Sequence, residues 1–156
     1  TLATYRKMHL FGYQSKEQEL MIAGDRPVVV ETPLGRFGLG TCYDLRFPEL
    51  FRALLDMGAE CFLITSGWPF PRLEHWKLLN RSRAVENLCF LISCNSCDKQ
   101  DDVHFCGHSM VVDPWGDIMG TLDEKEAVLA VNLDLKRVTT IRSEFPALQD
   151  RVLGNA

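Results

Sequence analysis

Long apolar runs are missing from these 156 residues; the longest are strand-length, which leaves no segment for a transmembrane helix. An excess of one charge is missing too. Lys and Arg number 17 and Asp and Glu 21, so the net charge is −4 with signs interspersed. That balance excludes a nucleic-acid footprint or a polybasic membrane patch. No repeat, low-complexity tract or linker divides the chain, so residues 1–156 read as one domain. The stretch from Thr1 to Lys7 has neither an apolar secretory core nor an initial Met, and reads as a strand end cut from something longer. What is present is an ordinary core-forming mixture, 46% apolar and 24% charged. With so much apolar material, the six cysteines are not needed as disulfide staples. Cys61 and Cys89 lie inside apolar runs as small hydrophobes, and a reducing, cytoplasmic setting is expected.

The patterning predicts strands over Pro27–Glu31 and Phe37–Cys42 around the turn Thr32-Pro33-Leu34-Gly35. Phe47, Leu50, Phe51, Leu54 and Leu55 recur at helical spacing, with Pro48 in the first turn and Gly58 at the stop. Glu60–Thr65 reads as a buried strand, Leu73–Leu88 as a helix and Cys89–Ser93 as the next strand. A polar loop, Asn95–Val103, leads to a strand over Ser109–Asp113. Ala127–Val131 reads as a last strand and Leu135–Arg142 as a short helix. Alternating strands and helices with flanking hairpins predict an α/β fold with a mixed sheet.

Cys42 ends a strand just before a helix, the place where side chains leave the core of an α/β sheet and meet ligands. A thiol there can attack substrate while nearby backbone N–H groups hold an oxyanion. A buried structural cysteine is the competing reading, and spacing alone does not decide between them. A second cluster, Cys94, Cys97, His104, Cys106 and His108, offers ligands for zinc, with the Cys-x₂-Cys pair as its cue. Against zinc, residues 104, 106 and 108 alternate along an extended segment and do not form a compact knuckle.

The segment Gly40-Thr41-Cys42-Tyr43-Asp44-Leu45-Arg46-Phe47-Pro48-Glu49-Leu50 resembles the nucleophile motif of the nitrilase superfamily. Tyr5-Arg6-Lys7-Met8-His9-Leu10-Phe11 resembles its lysine motif, and Glu17, seven residues before Gly24, its supporting glutamate. His75-Trp76, Arg83 to Asn87, Gly107-His108-Ser109, Asp113 to Gly116 and Phe145-Pro146 continue the likeness, which runs from Tyr5 to about Arg151.

The resemblance implies the C-terminal portion of an α-β-β-α sandwich, a Glu-Lys-Cys amidase or nitrilase needing no cofactor, and a homodimer. It casts Cys42 as nucleophile and Lys7 and the Tyr43 N–H as oxyanion donors, with Glu17 orienting the site. The pattern Trp68-Pro69-Phe70-Pro71-Arg72 resembles the branch that hydrolyses ω-amides of 2-oxo acids, although Gly67 stands where that branch carries an acidic or polar residue. Trp68, Arg72 and His75 are then the candidate substrate-binding residues, and a small-molecule amide the expected partner. Arg46, Glu49, Arg83 and Glu86 read as braces.

The family's own triad glutamate lies upstream of the lysine motif, and none of the six residues before Lys7 is acidic. The expectation is therefore a fragment whose 156 residues alone are inactive. The rivals are a non-catalytic assembly subunit of the same fold and a zinc-binding module on Cys94, Cys97 and His104.

Overall fold

The computed structural model describes residues 1–153. Strand β1 (Val29–Thr32) turns back into β2 (Gly35–Thr41), and the Thr32 hydroxyl closes the turn by accepting from the Leu34 N–H and donating to the Gly35 carbonyl. A 3₁₀ turn, Cys42–Arg46, follows, and then helix α2 (Pro48–Asp56). Next come β3 (Cys61–Ser66), α3 (Leu73–Asn87) and β4 (Phe90–Asn95). The strands β2, β3 and β4 are parallel, so Thr41, Ser66 and Asn95 end at one rim of the sheet. Strands β5 (Lys99–Gln100) and β6 (Val103–His104) form a small separate hairpin. The antiparallel β7 (Met110–Val112) and β8 (Ile118–Thr121) complete a six-stranded mixed sheet, in the order β1-β2-β3-β4-β7-β8.

One face is covered by α2 and α3. Helix α2 buries Leu50, Phe51, Leu54 and Leu55, the stripe its spacing predicted. Glycine makes the close approach possible: a Cβ on Gly40 would lie 2.9 Å from Ile64 Cδ1 and 3.8 Å from Phe51 Cζ. Phe51 meets Phe62 edge to face at 5.1 Å, and both are fully buried. Burial of each such ring stabilises the fold by about 1.5–3 kcal/mol. Helix α3 stops where Leu88 takes a left-handed conformation, φ 47°, with its side chain held in the core.

The expected α/β fold with a mixed sheet is present. Among the described residues the six-stranded sheet carries α2 and α3 as a helical layer on one face, one α-β half of the anticipated sandwich. On the second face, α4 (Lys136–Glu144) brings Val138 onto Cys61 and Phe90, while Leu63 and Ile92 remain half-buried. None of the described helices is long and apolar enough to cross a membrane.

Three expectations need correction. Ala127–Val131 is not a strand: Val128 is 94% exposed, and the segment only lays Leu129 and Val131 beside Gly120. The edge strand is instead Ile118–Thr121, delivered directly by a turn in which Asp113 Oδ1 accepts the Trp115 and Asp117 N–H groups. An unbroken apolar run, Ala127–Val131, marked the wrong segment, while Gly120 weakened the pattern of the right one. The 95–103 loop contains part of the β5–β6 hairpin, and a one-turn helix α1 (Glu17–Leu20) was not anticipated. All six cysteines are free, as expected.

Phe51→Ala should lower the unfolding free energy by about 3–5 kcal/mol through cavity formation. Val128→Ala should change it by less than about 0.5 kcal/mol. Urea denaturation of both variants checks this, and equal midpoints would remove α2 from the core.

Candidate active site

Cys42 is the first residue past β2 and stands in the left-handed region, φ 48°, although it is not glycine. That conformation costs about 1–2 kcal/mol and persists only where neighbours impose it. The neighbour that imposes it here is Asp44. Its carboxylate is fully buried and accepts the Thr41 N–H at 2.9 Å, closing the turn around the thiol. The same carboxylate accepts the Tyr5 hydroxyl at 2.7 Å, the His9 N–H at 3.0 Å and His9 Nδ1 at 2.8 Å. Four donors compensate a charge that burial alone would make very unfavourable. Burial and the adjacent Asp44 carboxylate together push the Tyr5 phenol well above its ordinary range, so it remains a donor. The His9 ring stacks on Phe47 at 3.8 Å, fixing the turn's far end. From α3, Arg83 donates to the Leu45 carbonyl at 3.0 Å and pairs with Glu86 at 2.8 Å.

Because Tyr5 and His9 are both fastened to Asp44, Lys7 between them is carried to the cavity that Cys42 lines. Lys7 Nζ lies 2.5 and 2.8 Å from the two carboxylate oxygens of Glu17, and Glu17 Oε2 also accepts the Phe11 N–H at 2.8 Å. One cavity of about 560 Å³ is lined by Lys7, Glu17, Cys42, Tyr43, Trp68 and Arg72. Six of the seven residues singled out as site candidates therefore converge. His75 is not on that lining; it stands one step behind, its Nδ1 accepting from Arg46 Nη2 at 3.2 Å.

Arg46, read above as a brace, instead reaches into the cavity with its guanidinium 4.8 Å from the Trp68 ring centroid. Glu49 stays on the surface. Burial, and then the charge of Arg72, lower the Arg46 pKa. Arg72 lies over Phe11 at 5.5 Å, while its carbonyl accepts Trp68 Nε1 at 2.8 Å. Neither arginine pairs with a carboxylate among the described residues; Glu74, the nearby acid, takes Lys77. The charged lining is thus Lys7, Arg46 and Arg72 against Glu17 alone.

The zinc reading finds no support, because no three His, Cys, Asp or Glu side chains are grouped to hold a metal among the described residues. Cys94 is exposed, Cys106 is buried against the Asn95 amide, and His104 stacks on Phe70. His108 engages the Cys106 carbonyl at 2.6 Å. Sequence reasoning assigned no role to Tyr5, His9, Asp44 or Asn95. The first three lie within the motifs it quoted, but only the folded chain brings residues 5–9 against residue 44.

The carbon–nitrogen hydrolase family profile matches residues 1–143. The chain belongs to the carbon–nitrogen hydrolase family. It is 44% identical over 153 residues to a 2-oxoglutaramate amidase of Paenarthrobacter nicotinovorans, covering 96% of this chain and 52% of that protein. Saccharomyces cerevisiae Nit3, a member of branch 10 of the nitrilase superfamily, superposes with a TM-score of 0.85 at 35% identity, over 93% of this chain and 53% of that one. An amidase from Nesterenkonia sp. AN1 has a TM-score of 0.80 at 30% identity, covering 95% of this chain and 58% of that one. Its structure carries the product of Michael addition of acrylamide at the active-site cysteine. The chain spans about half the length of the relatives it matches.

Of the six thiols in this hydrolase domain, Cys42 should alkylate fastest with iodoacetamide. Burial pushes Cys89 and Cys106 up to about 11 and raises Cys61 further, whereas Cys42 opens onto a cationic cavity. Mass mapping that finds Cys94 or Cys97 modified first would remove Cys42 from its role. Asp44→Asn should both destabilise the domain by about 2–3 kcal/mol, by leaving buried donors unmatched, and slow Cys42 alkylation.

Proposed function

We propose that this chain carries the thiol centre of an amidase acting on small anionic ω-amides, with the monoamide of a 2-oxo dicarboxylic acid as the favoured substrate. The observation that carries the reading is the placement of two guanidinium groups, Arg46 and Arg72, without carboxylate partners among the described residues, in the same cavity as Cys42 and Lys7. A substrate carboxylate supplies the missing counter-charge through paired hydrogen bonds to Arg72, with Arg46 beside it. The distant amide then reaches the thiol. The similarity to a 2-oxoglutaramate amidase and the acrylamide adduct on a related amidase's cysteine support the same chemistry.

In this reading the Cys42 thiolate attacks the amide carbon, and the C=O electron pair moves onto oxygen. Lys7 and the Tyr43 N–H hold that oxyanion. When the carbonyl reforms, the C–N bond breaks and the protonated nitrogen leaves as ammonia. Water then attacks the thioester, the C–S bond breaks, and the free acid and thiol are restored. The oxygens of Glu17 are engaged with Lys7 and the Phe11 N–H, which suits a role in holding Lys7. The proton for the amine then comes from a second glutamate, as the Glu-Lys-Cys pattern implies. By the same resemblance the working protein is a cytoplasmic homodimer, which light scattering of the purified protein checks for assembly.

Two experiments test this proposal. The 156 residues alone should release negligible ammonia; robust release abolished by Cys42→Ala would make Glu17 the acid/base instead. In the full-length protein, Arg72→Lys keeps the charge but loses the fork. It should lower kcat/KM for carboxylate-bearing amides about tenfold to a hundredfold, the equivalent of a charge-assisted hydrogen bond of about 1.5–3 kcal/mol, and leave neutral aliphatic amides nearly unchanged. An equal loss for both substrate types would make Arg72 a loop support.

A further inference from the structure

The chains leaving β3 and β4 do not run free over the sheet's rim; they are sewn together. Asn95, the last residue of β4, is buried, and its Oδ1 accepts the Trp68 N–H at 2.7 Å. Its Nδ2 donates to the Gly107 carbonyl at 2.8 Å and lies 3.2 Å from Cys106 Sγ. The Cys106 N–H reaches the Trp68 carbonyl at 2.9 Å, and Pro69 and Phe105 form an antiparallel bridge. A buried amide whose donors and acceptor are all engaged fixes the two segments as one unit.

Side chains alternate along this extended stretch. His104 stacks outward on Phe70 at 5.0 Å, while Val103 and Phe105 line the cavity. The Phe105 ring rests on the backbone of Gly67, where a Cβ would lie 3.1 Å from ring Cε1 and 3.6 Å from Cζ. Tighter contact than this is rare for real side chains, so the ring position depends on glycine at 67. The same segment carries Trp68 beneath Arg46, and then Arg72. Phe105 therefore shares one cavity with both guanidinium groups, and the acyl chain of a substrate whose carboxylate reaches them shares that space with the ring.

We propose that Phe105, seated on Gly67, is a specificity-determining residue that admits a slim, unbranched acyl chain and rejects one with a bulky substituent. The inference rests on the amidase reading for its substrate, but not for its geometry. An apolar wall in the same cavity as two cations suits a short methylene chain ending in a carboxylate. The methylenes lie against the ring while the charge meets the arginines. A branched or aryl-substituted chain collides with a wall that the Asn95 stitching prevents from yielding.

The test uses the full-length protein with two probes, the unbranched five-carbon 2-oxo dicarboxylic monoamide and its C3-phenyl derivative. Phe105→Ala should raise the ratio of kcat/KM, phenyl to unbranched, by about tenfold or more, with Phe105→Leu between it and the parent. Gly67→Ala should slow the unbranched substrate, and combining it with Phe105→Leu should restore the rate, since the smaller side chain frees space for the new methyl group. Thermal melts identify any variant that fails to fold, and the leucine variant keeps the test open if alanine does. Alkylation of Cys42 by iodoacetamide and by its N-phenyl derivative is measured on the same variants and needs no turnover. A selectivity change in alkylation without amide hydrolysis keeps the wall and overturns the amidase reading. Amide hydrolysis with both selectivities unmoved by Phe105→Ala overturns the wall.

Discussion

Everything at the site hangs on one buried carboxylate. Asp44 closes the turn that forces Cys42 into a left-handed conformation and, with the same two oxygens, anchors Tyr5 and His9 on either side of Lys7. Deleting that negative charge would release the thiol's backbone and the lysine's segment at once. A carboxylate has the acceptor capacity to do this, whereas a neutral amide would present N–H groups toward donors already there. The arrangement also separates tasks between two acids. Asp44 takes main-chain, phenol and imidazole donors, while Glu17 takes the lysine.

The sheet supplies the rest by geometry. Three parallel strands end at one rim; Cys42 and Trp68, just past β2 and β3, face a common space with Phe105, which follows the β5–β6 hairpin. Cationic groups collect there with a single carboxylate among them, while aromatic rings form the opposing surfaces. The lining joins apolar and aromatic surface to three cations and one carboxylate, so shape and charge are carried by different residues. Arg46 shows how closely the two are joined, since its charge is held over the Trp68 ring and by the exposed His75.

How much of this was legible in the residues divides along a physical line. The strands and helices from Gly35 to Asn95 were readable because α2 buries one periodic stripe, Leu50–Leu55, and the central strands are short unbroken apolar runs. The edge was misread because Val128 and its neighbours form an apolar run without a partner strand, whereas Ile118–Thr121 pairs through its backbone despite Gly120. At the site, motifs pointed to Cys42, Lys7, Glu17, Tyr43, Trp68 and Arg72, and the cavity gathers all six. The Asp44 contacts and the inward turn of Arg46 were invisible, because they depend on residues far apart in sequence meeting at one atom. His75 was placed one contact too close for a related reason: spacing along α3 gives its side of the helix but not what stands in front of it.

The span of the Asp44 contacts also bears on how the domain acquires its chemistry. Tyr5 and His9 lie 39 and 35 residues from Asp44, and Leu45 is braced by Arg83, 38 residues on. Contacts between such distant residues require closure of long loops and form late, after local helices and the β1–β2 hairpin. By that topology the lysine segment and the strained turn at Cys42 are expected to meet after the sheet and α3 form, so the left-handed geometry of Cys42 is expected to be a late gain of folding.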